Sequence, residues 1–489
     1  VHNLLAARRV TGPIEITGGL AVTNEHHIEV RRSDEGVFRE MGQVDLMKGS
    51  YSIDIDEASG ILIARLIDKS GRILGEGEIR LSQLQAGADR LIKGPRLEIS
   101  PSPVWTGKVS RYYSNPKKEE TPPTHVTTFS GQNVVTVGRN GEISIEKLSK
   151  NSSTVVRAET PEHMPSSKIM IAGAKSFGIP LFPNSMMEAL KSIVSDQKSG
   201  AYNELAETSV VWGTATLDGK PLSGVTVISE TEPEVRAIYF NEFMIPDPKL
   251  SATSSIGLYA FIGLPSGFHA LLGQRGDAYF GHQNVDVEAG SVAIGDIEST
   301  LRTEPVRIRA FDAFGGEPVT LTANLQSFSQ PVDIIEGSAS VVLPQISRLS
   351  MMYTETPQKY LSANYFYNDQ DSYIHLPMIS RDWLGEIRTF AKINELSQAG
   401  TIVGFFGEEN FEAYLAGQTK ESPAEIVYFD ATGKLIDGHR GLLGGGFIIF
   451  NVPYGIQEVV VVGDNSEKIF SKVVPVDINT VSVLNFTSF

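Results

Sequence analysis

Two segments nearly two hundred residues apart run in step without a gap: Gly257-Leu-Tyr-Ala-Phe-Ile-Gly-Leu-Pro265-Ser-Gly267-Phe268 and Gly445-Gly-Phe-Ile-Ile-Phe-Asn-Val-Pro453-Tyr-Gly455-Ile456. In each, a Pro stands eight residues after the first Gly and another Gly two residues beyond it. The spacing reads as a repeated β unit, and duplication constrains the fold more than any single motif does. A second pair agrees. Asn203-Glu204-Leu205 begins ten residues before Gly213, and Asn394-Glu395-Leu396 begins ten before Gly404. The chain is therefore expected to carry two copies of one module.

A chain of 489 residues divides into about three to five domains, because a single core rarely grows past roughly 250–300 residues. Hydrophobic residues at 41% suffice for several cores, and the formal charge of -16 disfavours a nucleic-acid partner, which needs a basic surface to displace counterions. Arg8-Arg9 and Lys117-Lys118 are small groups without interleaved aromatics and read as solvated loops. Cys is absent, which removes thiol nucleophiles, disulfides and Cys-based zinc sites together. No apolar run reaches the 18 or more residues of a membrane-spanning helix. The first residue is Val1 rather than Met; a processed leader and a fragment boundary would both look this way.

Period-two alternation through His27-Ile-Glu-Val-Arg31 and Tyr51-Ser-Ile-Asp-Ile55 reads as strands, continued by 61–67 and 77–81 after a turn at Asp68-Lys-Ser-Gly71. This gives an N-terminal β-sandwich over 1–111. Residues 112–126 contain three prolines and no apolar periodicity, the signature of a linker or exposed loop. A short β region over 127–164 follows, with a hairpin joining 133–137 to 142–146 through Asn140-Gly141. The first long copy spans 165–301. A helix over 185–195 is capped by Asn184 and carries the apolar stripe Met186, Met187, Leu190, Ile193 and Val194. Strands follow at 210–217 and 225–228, joined by the turn 218–222. A small β region occupies 302–349, and the second long copy, 350–489, has its helix over 381–396 with Asp382 as cap and Trp383, Ile387 and Phe390 at helical spacing.

Gly213-Thr-Ala-Thr-Leu-Asp-Gly-Lys-Pro-Leu-Ser-Gly-Val-Thr-Val227, followed by Gly257 to Gly267, resembles the carboxypeptidase regulatory-like or transthyretin-like β-sandwich module. The resemblance is clearest over 210–300 and weaker over 400–489, where the Asp-Gly-Lys-Pro-Leu hairpin gives way to Gly407-Glu-Glu-Asn-Phe411. It implies that the turn glycines and Leu-Pro-x-Gly serve the fold, and that the modules are non-catalytic parts of exported, surface or membrane-associated proteins. The expected fold class is mainly β: a multidomain chain of immunoglobulin-like or transthyretin-like β-sandwiches, with short helices preceding two duplicated modules.

Chemistry is harder to find. Gly-x-Ser-x-Gly, His-Glu-x-x-His and a strand-to-helix Gly-x-Gly-x-x-Gly are all missing, and the Gly441 to Gly446 run is flanked by strands rather than opening a helix. His26 and His27 would point to opposite faces of a strand. Asp54, Asp56 and Glu57 offer calcium its preferred oxygens but without the interspersed loop ligands of a calcium site, so they read as solvated charge and no cofactor is expected. Glu408-Glu409 and Asp369-Gln-Asp371 are the carboxylate pairs open to glycoside chemistry, which needs two carboxyls about 5–9.5 Å apart across a cleft. The aromatics Tyr239, Phe240 and Phe243 in one copy and Tyr365, Phe366 and Tyr367 in the other are the candidate partner or glycan contacts; burial in the sandwich is the competing reading. The function expected is a non-catalytic exported or cell-surface structural or adhesive protein, as in an appendage or envelope assembly, with a protein partner or self-association. A carbohydrate-binding protein is the alternative, and a glycan-active enzyme comes third.

Overall fold

The computed structural model describes residues 8–486 apart from 17–26, 33–41, 46–47, 56–60, 68–72, 81–90, 95–96, 100–104, 113–123, 132–133, 139–140, 147, 150–151, 172–176, 198–207, 327, 329, 356–358, 370, 372, 395, 408, 419–423 and 465–468. The protein is mainly β, with several sheet modules and two short helices among the described residues.

The alternating segments near the N-terminus form two sheets. Arg8–Ile16 runs antiparallel to Ser50–Ile55 and parallel to Leu91–Lys93 and Leu97–Ile99, with Gly42–Asp45 outside Ser50–Ile55. His27–Arg32, Ile61–Ile67 and Ile73–Arg80 make a separate antiparallel sheet. Val10, Tyr51 and Ile53 are buried on the first, and Ile28, Val30, Leu62, Ala64 and Leu66 on the second, as period-two burial requires.

From Trp105 onward the strand order repeats. In the first copy Trp105–Arg111 lies between Glu142–Glu146 (antiparallel) and Phe177–Pro183 (parallel). In the second, Thr303–Asp312 lies in the same way between Ser338–Pro344 and Tyr373–Met378. A long sheet comes next. Its order in the first copy is His125–Thr128, Ser153–Glu159, Ser166–Ile171, Val292–Ile294, Val210–Leu217, Leu258–Ile262, Ile238–Tyr239. In the second it is Leu321–Leu325, Leu349–Glu355, Ala363–Asn368, Val481–Asn485, Ala399–Phe405, Gly446–Pro453, Glu425–Phe429. The third sheet is Val225–Ser229, Gly267–Arg275 and Ala278–Val287 in one copy and Phe411–Leu415, Gly455–Gly463 and Ile469–Val476 in the other. The long sheet is shared, so each copy consists of two sandwiches fused along it. In the first copy one core gathers Trp105, Ile143, Val156, Met170 and Ile179, and another Val211, Val225, Tyr259, Leu271 and Val285.

The segments that run in step occupy equivalent places. Gly267 pairs with Val287 where Gly455 pairs with Val476, and Gly213 lies opposite Tyr259 where Gly404 lies opposite Phe447. A Cβ on Gly213 would come within 2.6 Å of the Tyr259 ring, and one on Gly404 within 2.1 Å of the Phe447 ring. Both glycines are needed because the facing aromatic side chain fills the space above them.

Three individual features of the elements differ from the sequence reading. Val210–Leu217 turns at Asp218 and Gly219 (φ 49° and 75°), but its return strand is only Lys220–Pro221. The chain bends again at Gly224 (φ 79°), and Val225–Ser229 joins the opposite sheet beside Gly267–Arg275. α1 spans Asn184–Gln197, but α2 spans only Arg381–Phe390, because Ala391 caps it and Lys392 adopts a left-handed φ of 58°. The N-cap of α2 is Ser380, whose side chain accepts from the Trp383 N–H, and Asp382 sits in the first turn. Most of 112–126 lies outside the described residues, as do Asn203-Glu204-Leu205, Glu395, Lys117-Lys118, His26, Asp56 and Glu57. At its edges Tyr112 packs against Phe182 and Trp212, and His125–Thr128 pairs with Ser153–Glu159.

Candidate functional site

Four of the six aromatics singled out from the sequence are buried. Tyr239 and Phe240 are 5% and 1% exposed, and Tyr365 and Tyr367 are 3% and 4% exposed. Tyr239 latches one sandwich: its hydroxyl accepts from the Val227 N–H at 2.8 Å across the sheets. Tyr428 does the same in the second copy, accepting from the Ala413 N–H at 3.0 Å. The Tyr365 hydroxyl donates to the Pro377 carbonyl at 2.9 Å, and burial pushes its pKa up. Phe366 is half-buried and packs, with Phe268, around Val155, Ile169, Leu349, Ile456 and Val473, which come from both copies. Only Phe243, 81% exposed, stands clear of the surface.

Phe243 sits on a fixed turn. The Asn241 side-chain oxygen accepts from the N–H groups of Phe243 and Ile245, at 3.0 and 3.1 Å. Asp430 holds the corresponding turn of the second copy, accepting from Thr432 and Lys434 at 2.9 and 3.0 Å. Gly433 there has φ 82°; Met244, in the matching place, has φ 61°. A left-handed conformation penalises a side chain by about 1–2 kcal/mol, and Gly returns part of that gain as lost backbone freedom. Met244→Gly should therefore raise stability by about 0.5–1 kcal/mol, read as a higher urea midpoint with unchanged slope; a lower midpoint would show that the Met side chain packs better than its exposure implies.

The densest polar cluster lies where the copies meet. Arg348, 4% exposed, places Nε 2.5 Å from Asp369 Oδ2, and Asp369 is fully buried. Ser350 Oγ donates to Asp369 Oδ1 at 2.6 Å and lies 2.9 Å from His282 Nε2. The other ring nitrogen of His282 is 2.6 Å from the Tyr279 hydroxyl. Arg348 Nη1 donates to the Glu298 carbonyl at 3.2 Å. Asn284 donates to the Leu349 carbonyl at 2.9 Å and to Gln326 at 3.0 Å. Burial first, and then the Arg348 charge, hold the His282 pKa well below the ordinary imidazole value.

An equivalent junction lies on the other side. Thr154 Oγ1 donates to Glu458 Oε2 at 3.0 Å, Ser471 Oγ donates to Glu458 Oε1, and Ser153 Oγ accepts from the Val473 N–H at 2.9 Å. Strand register makes the correspondence explicit. With Gly267 matched to Gly455, His282 matches Ser471 and Asn284 matches Val473. Phe129 N–H to the Val155 carbonyl matches Gln326 N–H to the Met351 carbonyl, so Thr154 matches Ser350 and Ser153 matches Leu349. Strand Ala278–Val287 of the first copy thus meets Leu349–Glu355 of the second, while Ile469–Val476 of the second meets Ser153–Glu159 of the first. The two copies pack as an internal two-fold pair, the arrangement of an isologous dimer carried in one chain. Nothing in the residue pattern signals the partners that join the two copies, which stand 42–320 residues apart.

Beside this junction runs a groove of about 1240 Å³, lined among others by Lys168, Asp296, Glu298, Arg302, Gln345 and Arg348, with Phe177 as its aromatic. Lys168 Nζ lies 3.0 Å from Asp296 Oδ2. Of the weak carboxylate candidates, Asp369 is taken up by Arg348 and Ser350, Asp371 accepts from the Asn368 N–H at 2.9 Å, Glu409 is buried, and Glu408 lies outside the described residues. Asp54 is paired with Arg9 at 2.8 Å. Among the described residues no group of three His, Asp or Glu could hold a metal ion, and no helix is long and apolar enough to cross a membrane.

Comparison with family models found no match, and comparison with curated proteins found none either. Among solved structures, a streptococcal ancillary pilin aligns at 10% identity and a TM-score of 0.17, covering 50% of this chain and 80% of its own. The TIE protein of Bacillus anthracis aligns at 12% and 0.14, covering 75% and 66%. The shaft pilin SpaA of Lactobacillus rhamnosus GG aligns at 13% and 0.14, covering 35% and 98%. Scores this low carry no argument about function. The chain is one of β-sandwich modules, and no specific family is shown for it.

Proposed function

We propose that the protein is a non-catalytic structural component of an extracytoplasmic assembly, built from repeating units over 105–299 and 303–485 and associating with other protein subunits. The observation that supports this most is the internal two-fold packing. The faces that could have lined two separate clefts are instead locked against each other through buried polar side chains. Fixing two sandwiches in one orientation suits a rigid spacer that presents loops at a set distance. Phe243 on its fixed turn is the proposed contact for a protein partner.

Scanning calorimetry of the full chain tests the rigid-spacer role. Both copies should unfold in one transition whose calorimetric and van't Hoff enthalpies agree for the 105–485 region. Two separable transitions, one per copy, would remove the basis for the proposal.

Glycan binding is the second reading, favoured by the polar lining of the groove. Among the described residues its lining has one aromatic, Phe177, rather than the coplanar platform that sugar stacking uses. Titration with a panel of soluble oligosaccharides separates the two: saturable binding abolished by Lys168→Ala would favour the glycan reading, and no heat from any member would count against it.

A further inference from the structure

We propose that the strand Ser338–Pro344 is an open docking edge that pairs antiparallel with the same strand of a second copy of this chain. The inference deepens the structural reading above, naming the surface through which the chain associates, and rests on that reading for its purpose. Ser338–Pro344 ends a three-stranded sheet, with Thr303–Asp312 on its inner side and no strand on its outer side among the described residues. Register fixes which backbone groups face outward. The Gln345 N–H donates to the Arg302 carbonyl and the Ala310 N–H to the Gly337 carbonyl, both at 2.9 Å. Alternation between these ends turns the peptide groups of Ala339, Val341 and Leu343 inward and those of Ser340 and Val342 outward.

The first copy shows what such an edge accepts. Gly141 and Gly337 occupy the same place, with φ of 76° and 73°, and each carbonyl accepts from the neighbouring strand, from Val109 and Ala310. Ser144 therefore corresponds to Ser340 and Glu146 to Val342. In the first copy this edge is covered: Val134–Val137 pairs along it, with Thr136 opposite Ser144 and Val134 opposite Glu146. In the second copy the comparable segment, Val332–Ile334, pairs with Leu321–Leu325 of the long sheet instead. The place filled in one copy holds no strand in the other among the described residues.

Self-pairing is the occupant that the strand itself fits. Ser340 and Val342 flank Val341, so a two-fold axis at Val341 sets Ser340 opposite Val342 of the second copy twice over, and each such pair exchanges two backbone hydrogen bonds. The segment Ser338-Ala-Ser-Val-Val-Leu-Pro344 carries no charge, and Val342 is 56% exposed. Edge strands that avoid pairing usually carry Lys or an inward charge. The nearest cations on the adjoining strand, Arg307 and Arg309, lie over the rings of Tyr373 and Phe311 at 6.0 and 5.9 Å. Tyr373 belongs to the strand on the far side from the edge, so Arg307 is drawn away from the docking line.

Sedimentation velocity of the full chain from about 0.1 to about 100 µM tests the pairing, with Val342→Pro and Ser340→Lys as variants. Val342 faces Pro305, which has no N–H, and its own N–H points outward, so Pro at this edge removes no internal ladder bond. The wild type should form a dimer, and each variant should weaken it by at least about 30-fold while its melting temperature stays put. Should Val342→Pro fail to fold, Ser340→Lys decides. A wild-type monomer across the range overturns the proposal, as does a dimer untouched by both folded variants. In the second case association persists through another surface and the structural reading survives; that reading is tested separately, by the calorimetric and oligosaccharide results given above. Binding of a synthetic peptide of residues 132–138 to a monomeric chain would also overturn self-pairing, by showing that the edge takes a foreign strand.

Discussion

Arg348→Ala should destabilise the folded protein by about 3–5 kcal/mol, because it leaves Asp369 buried without its cation. The pair is buried on both sides, at 4% and 0% exposure, and the Ser350 hydroxyl, which also donates to Asp369, brings no charge. The same deletion frees the Glu298 carbonyl and removes one of the links between the copies. Asp369→Asn should cost a comparable amount, since it leaves the Arg348 guanidinium buried without its anion. The double change Arg348→Met with Asp369→Leu should recover much of the loss, as apolar replacements of buried ion pairs often do. Urea unfolding of the three variants measures this. A loss below about 1 kcal/mol for Arg348→Ala would place the pair in the class of exposed salt bridges and contradict its burial.

The second large effect is on pH dependence. Burial raises the Glu458 pKa to about 7, against the lowering effect of hydrogen bonds from Ser471, Thr154, Ser130 and the Val155 N–H. Because the folded value lies above the ordinary 4.5, the folded chain holds this proton more tightly than the unfolded chain. The resulting stabilisation is complete below about pH 4.5 and is lost as pH rises through about 7. Its size is on the order of 3 kcal/mol. Asp286, raised to about 7 by burial first and Glu288 second, acts in the same direction. His282 acts in the opposite one: its lowered pKa gives stability that is present above about 6.5 and lost as pH falls. Glu458→Gln isolates the carboxyl from these others. The variant should equal the wild type near pH 4.5 and exceed it near pH 8, the difference opening between those values. A difference that does not change with pH would mean that Glu458 titrates normally and that water reaches the junction.

Repetition was legible in the sequence because it is carried by residues with one job each. Gly213 and Gly404 are fixed by the aromatic ring opposite them, and Gly267 and Gly455 by their turns. Strands with clean alternation, such as His27–Arg32 and Ser50–Ile55, were legible as well. What the pattern could not carry was which sheet a strand joins: Val225–Ser229 has the same alternation on either side of the sandwich, and Gly224 decides between them. The aromatics misled for a related reason. Tyr239 and Tyr365 present a polar tip that suggests a surface, yet each tip finds a backbone partner inside the fold. Arg348 and Glu458 gave no signal at all, since an isolated charge in a sequence becomes a buried one only through partners far along the chain.

Amide hydrogen exchange on the full chain, wild type against Arg348→Ala, tests the internal two-fold packing most directly. In the wild type the strands on both sides of the junction, 278–287 with 349–355 and 153–159 with 469–476, should be protected as well as the sandwich cores. The Val473 N–H bonded to Ser153 should be among the slow ones. Arg348→Ala should speed exchange at both pairs together, including the pair that Arg348 does not touch. Unchanged protection at 153–159 and 469–476, with loss confined to 278–287 and 349–355, would contradict it: the two copies would then be neighbours on one chain rather than a single locked body.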